Sequence, residues 1–291
     1  MNTLDIINWN NLFKLDWDSH CRHEFKELES FWDEKAEDFN KSIFTSVSEK
    51  YTRTIVNYIK AKSKLKASDT FLDLGCGTGI LSIPIAKIVK KITVCDISLQ
   101  MLNFLKERVE RQKIDNINII HKRWTNVKTP KDIQPHDIVV SHRSLGVISC
   151  ADDGIPDLKS SIEKMNQIAR KSVFIIPPAY ELPDDRNFYT LFREFTYDNP
   201  EGNAGIANQA GLSTYILVHL MGLFPHVDYI QLKDTRKFDS IDEAVKKYSK
   251  FFNFDKGKLD KYFKSRFANK KEPYVVRVKR RIKIIWWTKT I

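Results

Sequence analysis

Three glycines at alternate positions, Gly75, Gly77 and Gly79, follow the apolar run Phe71-Leu72-Asp73-Leu74. Such a run fits a buried strand, and glycines directly after it let a backbone approach a ligand with no Cβ in the way. Asp73 adds a carboxylate at the end of that strand. A second apolar run, Ile92-Thr93-Val94-Cys95, ends in Asp96, seventeen residues after Gly79. A carboxylate at the tip of a second strand is well placed to accept hydrogen bonds from ribose hydroxyls. Further on, Trp124 offers an aromatic face, and Ser141-His142-Arg143-Ser144 gathers hydroxyl, imidazole and guanidinium groups. The set points to a nucleotide pocket with a polar reaction side. His142, whose ordinary titration lies near neutral pH, is the expected base for an acceptor hydroxyl or amine.

These residues need strands and helices to position them. The run from Ile80 to Val89 reads as a helix that opens directly after the glycines, with Pro84 in its first turn. Its unpaired N-terminal N–H groups would face the ligand. A helix with Met101, Leu102, Leu105 and Val109 on one face follows Asp96. Short apolar runs at 117–120, 137–140 and 172–176 read as strands three to five, with a helix at 156–169 before the fifth. Strands alternating with helices predict a parallel sheet covered on both faces. A helix at 212–221 closed by Gly222, a sixth strand at 227–232 and a last strand formed from 274–276 and 282–287 complete the pattern. The expected fold is α/β, a doubly wound, mostly parallel seven-stranded sheet with helical insertions.

Residues 1–45 read as an N-terminal helical cap rich in large aromatics, among them Trp9, Phe13, Trp17, Phe25 and Phe44. Its clearest periodic stripe is Leu28, Trp32, Ala36 and Phe39, which suits core packing or closure over the pocket. Residues 46–291 form the main domain, beginning with a helix at 46–61 and interrupted by insertions at 179–210 and 238–273. The first insertion carries a short helix around Arg186 to Phe195. Long insertions in compact folds tend to be functional, and Tyr51, Tyr180 and Tyr189 are aromatic hydroxyls from the cap side and the insertion.

At 291 residues, 42% hydrophobic and 29% charged, the composition is that of an ordinary globular chain. No apolar run approaches the ~20 residues of a membrane span. The first residues, Met1 to Asp5, contain no basic segment leading into an apolar core. Four scattered cysteines, Cys21, Cys76, Cys95 and Cys150, suit free thiols in a reducing, cytoplasmic setting. The net charge of +11 is uneven: residues 230–291 hold 19 Lys and Arg against 7 Asp and Glu. That region is a solvated face or a docking face for nucleic acid. His20-Cys21-Arg22-His23 gathers possible metal ligands, but no second cluster completes a site, so no metal is expected. His121 and His136 read as surface or loop residues. A nicotinamide or flavin dinucleotide is excluded because G-x-G-x-x-G does not close: its third glycine would fall on Ile80 or Ser82.

The stretch Asp73-Leu74-Gly75-Cys76-Gly77-Thr78-Gly79 resembles the first motif of class I S-adenosylmethionine-dependent methyltransferases. Asp96-Ile97-Ser98-Leu99-Gln100-Met101-Leu102 is similar to their second-strand signature, and Trp32 to Phe39 looks like the N-terminal helix of many small-molecule members. The resemblance covers roughly residues 45–178. It implies S-adenosylmethionine as cofactor, with Asp73, Gly75, Gly77, Gly79, Asp96, Ile97, Trp124 and Ser141 as its contacts. Gly75 and Gly77 would meet the amino-acid and ribose portions, and Asp73 the ammonium and sulfonium end. Asp96 would hold the ribose, with Ile97 and Trp124 on the adenine faces. Arg123-Trp124 stands where the family commonly carries an acidic residue after strand three. The residues at the tip of strand four, Ser141, His142 and Arg143, would lie on the acceptor side.

The leading expectation is methyl transfer to a small-molecule acceptor. The alternatives are an RNA or protein methyltransferase docking through the basic C-terminal region, and a non-catalytic S-adenosylmethionine-binding partner protein. Ser141-His142-Arg143-Ser144 stands where nucleic-acid amino-group methyltransferases of this kind usually carry an Asn/Asp-Pro-Pro-aromatic motif. Pro177-Pro178 follows strand five instead, which argues against base N-methylation.

Overall fold

A computed structural model describes residues 27–42, 46–179, 181–188, 190–191, 211–252 and 255–289. The aromatics up to and including Phe25, the His20–His23 group, Phe44, Tyr180, Tyr189 and the segment 192–210 lie outside the described residues. Strands β1 (Thr70–Leu74), β2 (Lys91–Asp96), β3 (Ile117–His121), β4 (His136–His142) and β5 (Ala169–Ile176) pair in parallel in the order β3-β2-β1-β4-β5. Successive strand residues serve opposite faces. Phe71, Ile92, Val94, Ile138, Val140 and Phe174 pack on one side. Leu72, Leu74, Cys95, Val139, Val173 and Ile175 pack on the other. Burial on both faces explains why these strands read as continuous apolar runs.

One layer of helices comprises α2 (Ser46–Ser63), α3 (Ser82–Ala86) and α4 (Leu99–Arg111); the other includes α5 (Leu145–Ile148), α6 (Leu158–Ile168) and α7 (Leu212–Leu220). The helix expected over 80–89 is only the five residues of α3, flanked by turns. α6 starts where the Asp157 side chain accepts from the Ser160 N–H. α7 ends as expected at Gly222, whose φ of 75° supplies the left-handed residue that stops the helix. Among the described residues, no helix is long and apolar enough to cross a membrane.

The sheet has eight strands rather than seven. β7 (His226–Phe238) and β8 (Tyr274–Thr288) form a long antiparallel ribbon. The near half of β8 also pairs antiparallel with β5. The extra strand, β6 (Glu181–Pro183), lies in the segment expected as an insertion and pairs with the far half of β8. The basic run that separated 274–276 from 282–287 in the sequence is no interruption. Val276, Val278, Ile282 and Ile284 are buried, while the intervening Arg277, Lys279, Arg281 and Lys283 belong to the opposite, basic face. Charge on one face of a period-two pattern is compatible with an unbroken strand. Helices α8 (Ile241–Phe252) and α9 (Lys256–Phe267) close a separate core around Phe238, Tyr248, Phe263 and Val278. Helix α1 (Leu28–Ser42) packs against α4, with Leu28 and Ala36 buried.

Candidate active site

The carboxyl ends of β1, β2 and β4 open into a cleft, the place where ligands bind in open α/β sheets. Asp73, Gly75, Gly77, Asp96, Ile97, Trp124 and His142 line it, together with Trp32, Phe39 and Arg143. Gly79 and Ser141 do not line the cleft. Gly79 has φ +84°, and an added Cβ would stand 2.3 Å from Leu105 Cδ1, so it lets the loop seat on α4. Ser141 is buried and 2.9 Å from Ser144 Oγ, which donates to the Leu74 carbonyl at 2.6 Å. Both act from behind the wall.

The glycine loop is held by Asp96. One carboxylate oxygen accepts from the Gly77 N–H at 2.7 Å and the other from the Ser98 N–H at 2.9 Å. Gly77 has φ +52°, a conformation that few side-chain-bearing residues adopt. Gly75 combines φ +68° with a site where a Cβ would lie 2.3 Å from Ser144 Cβ. Burial raises the Asp96 pKa, against the lowering effect of those N–H bonds. Asp73 is more strongly affected. Burial pushes its carboxyl up to about 7, opposed by the Ser82 hydrogen bond and reinforced by the nearby Asp96 charge. Ser82 Oγ donates to one Asp73 oxygen at 2.5 Å, and the other oxygen is buried with no partner among the described residues.

Ile97 and Trp124, expected on the adenine faces, both line the cleft. His121, exposed as expected, lies 2.8 Å through Nε2 from the Ile97 carbonyl. Trp124 is 2% exposed, with the Lys164 ammonium 4.3 Å from its ring centroid. Burial lowers that ammonium's pKa to about 8. The indole N–H groups of Trp32 and Trp124 are buried and have no acceptor among the described residues. Cys76 and Cys95, which also line the cleft, are free thiols whose pKa values burial raises.

Helix α1 forms the roof, and it is tied down at both ends. Asp33 accepts from Ser98 Oγ at 2.5 Å and from the Gln100 N–H at 3.1 Å, at the start of α4. Farther along, Arg108 donates to the Thr78 carbonyl at 2.5 Å and to Asn40 Oδ1, linking the glycine loop to α1. The stripe read from the sequence therefore divides its work. Leu28 and Ala36 enter the core, while Trp32 and Phe39 face the cleft.

At the end of β4, where the acceptor is expected, His142 Nε2 is 3.0 Å from the Tyr51 hydroxyl. Burial, aided by the Arg143 charge, drives the imidazole pKa down to about 3. The near-neutral titration expected from the sequence is absent: at pH 7 the ring is neutral and weakly basic. Arg143 follows at φ +61°, a conformation uncommon for a side-chain-bearing residue, and its guanidinium lies 5.7 Å from the Phe39 ring centroid. His136, also expected at the surface, is 5% exposed and lies 2.9 Å from Thr93 Oγ1 at the opposite end of β4. It has no place in the cleft.

These features fit S-adenosylmethionine. The unpartnered Asp73 oxygen matches its ammonium, the Asp96 carboxylate its ribose hydroxyls, and the Trp124 and Ile97 walls its adenine. The spare indole N–H groups match a ligand rich in acceptors.

The family described as a methyltransferase domain matches residues 65–215, just over half of the chain. A ribosomal RNA small subunit methyltransferase G of Clostridium perfringens is 27% identical over 140 residues, covering 46% of this chain and 57% of that one. An uncharacterised protein of Haemophilus influenzae is 26% identical over 144 residues, or 50% of this chain and 48% of that one. The chain thus spans about half the length of these curated relatives. Magnesium protoporphyrin IX methyltransferase from Synechocystis, solved with bound SAH, aligns with a TM-score of 0.49 at 12% identity, covering 92% of this chain and all of that one. The chain belongs to the methyltransferase-domain family, among the class I S-adenosylmethionine-dependent methyltransferases.

Proposed function

We propose that the protein transfers a methyl group from S-adenosylmethionine to a small-molecule acceptor. The observation that carries the reading is the roofed cleft: α1 is fastened over the glycine loop, and Trp32 and Phe39 face inward. A roof of this kind suits an acceptor small enough to be enclosed. When bound, S-adenosylmethionine supplies a methyl carbon already activated by a positive sulfur. The protein's part is then alignment and exclusion of water. Asp73 holds the ammonium end, Asp96 fixes the ribose, and Trp32 and Phe39 keep water from the reacting atoms. The neutral His142 ring and the Tyr51 hydroxyl present a hydrogen-bonding pair to the acceptor. Transfer of a labelled methyl group into a cell extract, followed by separation by size, tests the reading. Label in small molecules supports it; label confined to macromolecules refutes it.

A second reading, an RNA acceptor, draws on the ribbon. Residues opposite one another in an antiparallel pair share a face. Here Lys233 stands opposite Lys279, Gln231 opposite Arg281, Thr235 opposite Arg277 and Tyr229 opposite Lys283. This face carries no acidic residue over those four pairs. RNA binding through it would weaken steeply with salt. Absence of binding to bulk RNA at low salt removes this reading.

A further inference from the structure

Three cations line the cleft: Lys122, Arg123 and Arg143. Two are neutralised within the fold. Lys122 pairs with Asp132 at 2.7 Å, and Arg123 with Asp152 at 2.7 Å. Arg143 has no carboxylate within ion-pairing distance among the described residues; its recorded contact is the Phe39 ring. The two acidic groups of the cleft wall, Asp73 and Asp96, belong to β1 and β2 and to the cofactor.

Behind Arg143 the positive charge continues. The Arg280 guanidinium lies 5.0 Å from the Tyr51 ring centroid, and Tyr51 in turn meets His142. Arg280 is 3.4 Å from Glu181, but that carboxylate is already engaged by Arg236 through two bonds of 2.6 Å. The Arg280 Nε–H is buried and has no acceptor among the described residues. Glu181 therefore serves two guanidinium groups. The reaction side keeps a positive excess at Arg143, beside two neutral hydrogen-bonding groups, Tyr51 and His142. A like-charged cluster kept next to a cavity costs stability, and an anionic ligand would relieve that cost.

Resting on the small-molecule reading above, we propose that the acceptor carries an oxyanion, a carboxylate or a phosphate, bound by the Arg143 guanidinium next to the Tyr51–His142 pair. A planar guanidinium binds either group through two parallel hydrogen bonds. Arg143 follows β4 directly with a left-handed backbone and lines the cleft, where it acts as a specificity-determining group. Arg280 acts as a positioning residue: it holds Tyr51 from behind and adds to the positive field.

The test separates the anion from the enclosure. A cell extract is split at about 3 kDa, the small-molecule part is divided on an anion-exchange resin, and each pool and the macromolecular fraction are incubated separately with the full chain and labelled S-adenosylmethionine. The expected result is label incorporated from the anionic pool. Incorporation only from the unretained pool overturns the oxyanion proposal and leaves the small-molecule reading intact. Incorporation only from the macromolecular fraction overturns both. With the active pool, Arg143→Gly, which suits the backbone at φ +61°, is expected to raise the acceptor KM at least tenfold with a smaller change in kcat. Affinity for S-adenosylmethionine should not fall. Arg143→Lys should recover part of the loss. An unchanged KM in a folded Arg143→Gly variant refutes the assignment. As a probe independent of turnover, inorganic phosphate titrated into the protein loaded with S-adenosylhomocysteine should bind weakly, and Arg143→Gly should abolish that binding. Equal binding by parent and variant refutes it as well.

Discussion

Asp73, at the proposed cofactor site, would make that site a proton-linked one, and the size of the linkage follows from its burial. The carboxyl pKa is raised from 3.8 to about 7, chiefly by burial. In the unliganded protein Asp73 therefore takes up a proton over much of the acidic range, whereas the unfolded chain would release it near pH 4. The native state binds more protons than the unfolded state between those values. Its stability contribution is fully present below pH 4 and is lost as pH rises through 7. Three pH units correspond to about 4 kcal/mol at the limit.

A ligand ammonium reverses the preference, because it binds the ionised carboxylate. About half of Asp73 is ionised at pH 7 and about one part in a hundred at pH 5. Affinity for a ligand that needs the charge should fall about fifty-fold between these values, or about 2.3 kcal/mol. S-adenosylhomocysteine is the cleaner probe, since its neutral sulfur leaves the ammonium as its cation. Calorimetric titration from pH 5 to 7.5, in buffers of different ionisation enthalpy, should show weaker binding at low pH and release of close to one proton per ligand. Asp73→Asn should bind weakly with a flat profile. A parent protein whose affinity is constant over this range refutes the argument, as does an Asn variant with the parental slope.

Other substitutions probe different parts of the site. Asp96→Ala removes the acceptor of the Gly77 and Ser98 N–H bonds as well as the expected ribose contact. A loss of about 2–4 kcal/mol, or some 30- to 1000-fold in cofactor affinity by calorimetry, is expected for charged hydrogen bonds of this kind; an unchanged affinity sinks the pocket assignment. Gly79→Ala meets Leu105 at 2.3 Å in a left-handed conformation and should destabilise the fold by about 1–3 kcal/mol in denaturant titration. Unaltered stability would mean that the loop moves freely against α4. Asp33→Ala frees the start of α4 from α1 and should raise the KM for cofactor severalfold in steady-state assays, with a smaller effect on global stability. Equal KM values would remove the roof from the binding argument. With the His142 pKa near 3, the pH–rate profile between 5 and 8 should contain no limb that disappears in His142→Ala; such a limb near 6.5 would restore the histidine as a base.

Much of the parallel sheet was legible because its strands are buried on both faces and end in residues that chemistry marks. Phe71 to Leu74 and Ile92 to Cys95 are mostly apolar, and each carries or ends at a carboxylate, Asp73 and Asp96, with the three glycines after the first. The ribbon was harder to read. Between Val276 and Ile282 only Val278 is apolar, and Lys279-Arg280-Arg281 puts a charge on both faces, so a search for apolar runs breaks there although the strand continues. β6 has only three residues, and its pairing with β8 joins positions about a hundred apart; no local pattern could announce it. The site divides in the same way. Asp73, Gly75, Gly77 and Asp96 were identifiable by spacing and Ile97 by the family resemblance, and all line the cleft. The fastening of α1 depends on Asp33 meeting Ser98 and on Asn40 meeting Arg108, pairs separated by 65 and 68 residues. The state of His142 depends on burial against Tyr51 from α2. A residue's type and place in the chain reveal neither.

The low basicity of His142 bears on how the acceptor must arrive. Among the described residues that line the cleft, His142 is the only imidazole, and it is held neutral well above its pKa. Asp73 titrates in a useful range, but it lies on β1 at the cofactor's side, and bound ammonium would keep it ionised. Tyr51, the partner of His142, has its pKa raised by burial in spite of Arg143 and Arg280. Among the described residues, no group on this side of the cleft is therefore tuned to remove a proton at neutral pH. The acceptor atom would need to attack with a lone pair already available, or lose its proton to water outside the chemical step. Arg143 and Arg280 offer a physical route to the first case, since their field favours an ionised acceptor over its protonated form. The same charge that would select an oxyanion would also lower the pKa of an acidic nucleophile, so recognition and activation would draw on one electrostatic feature rather than on a dedicated base.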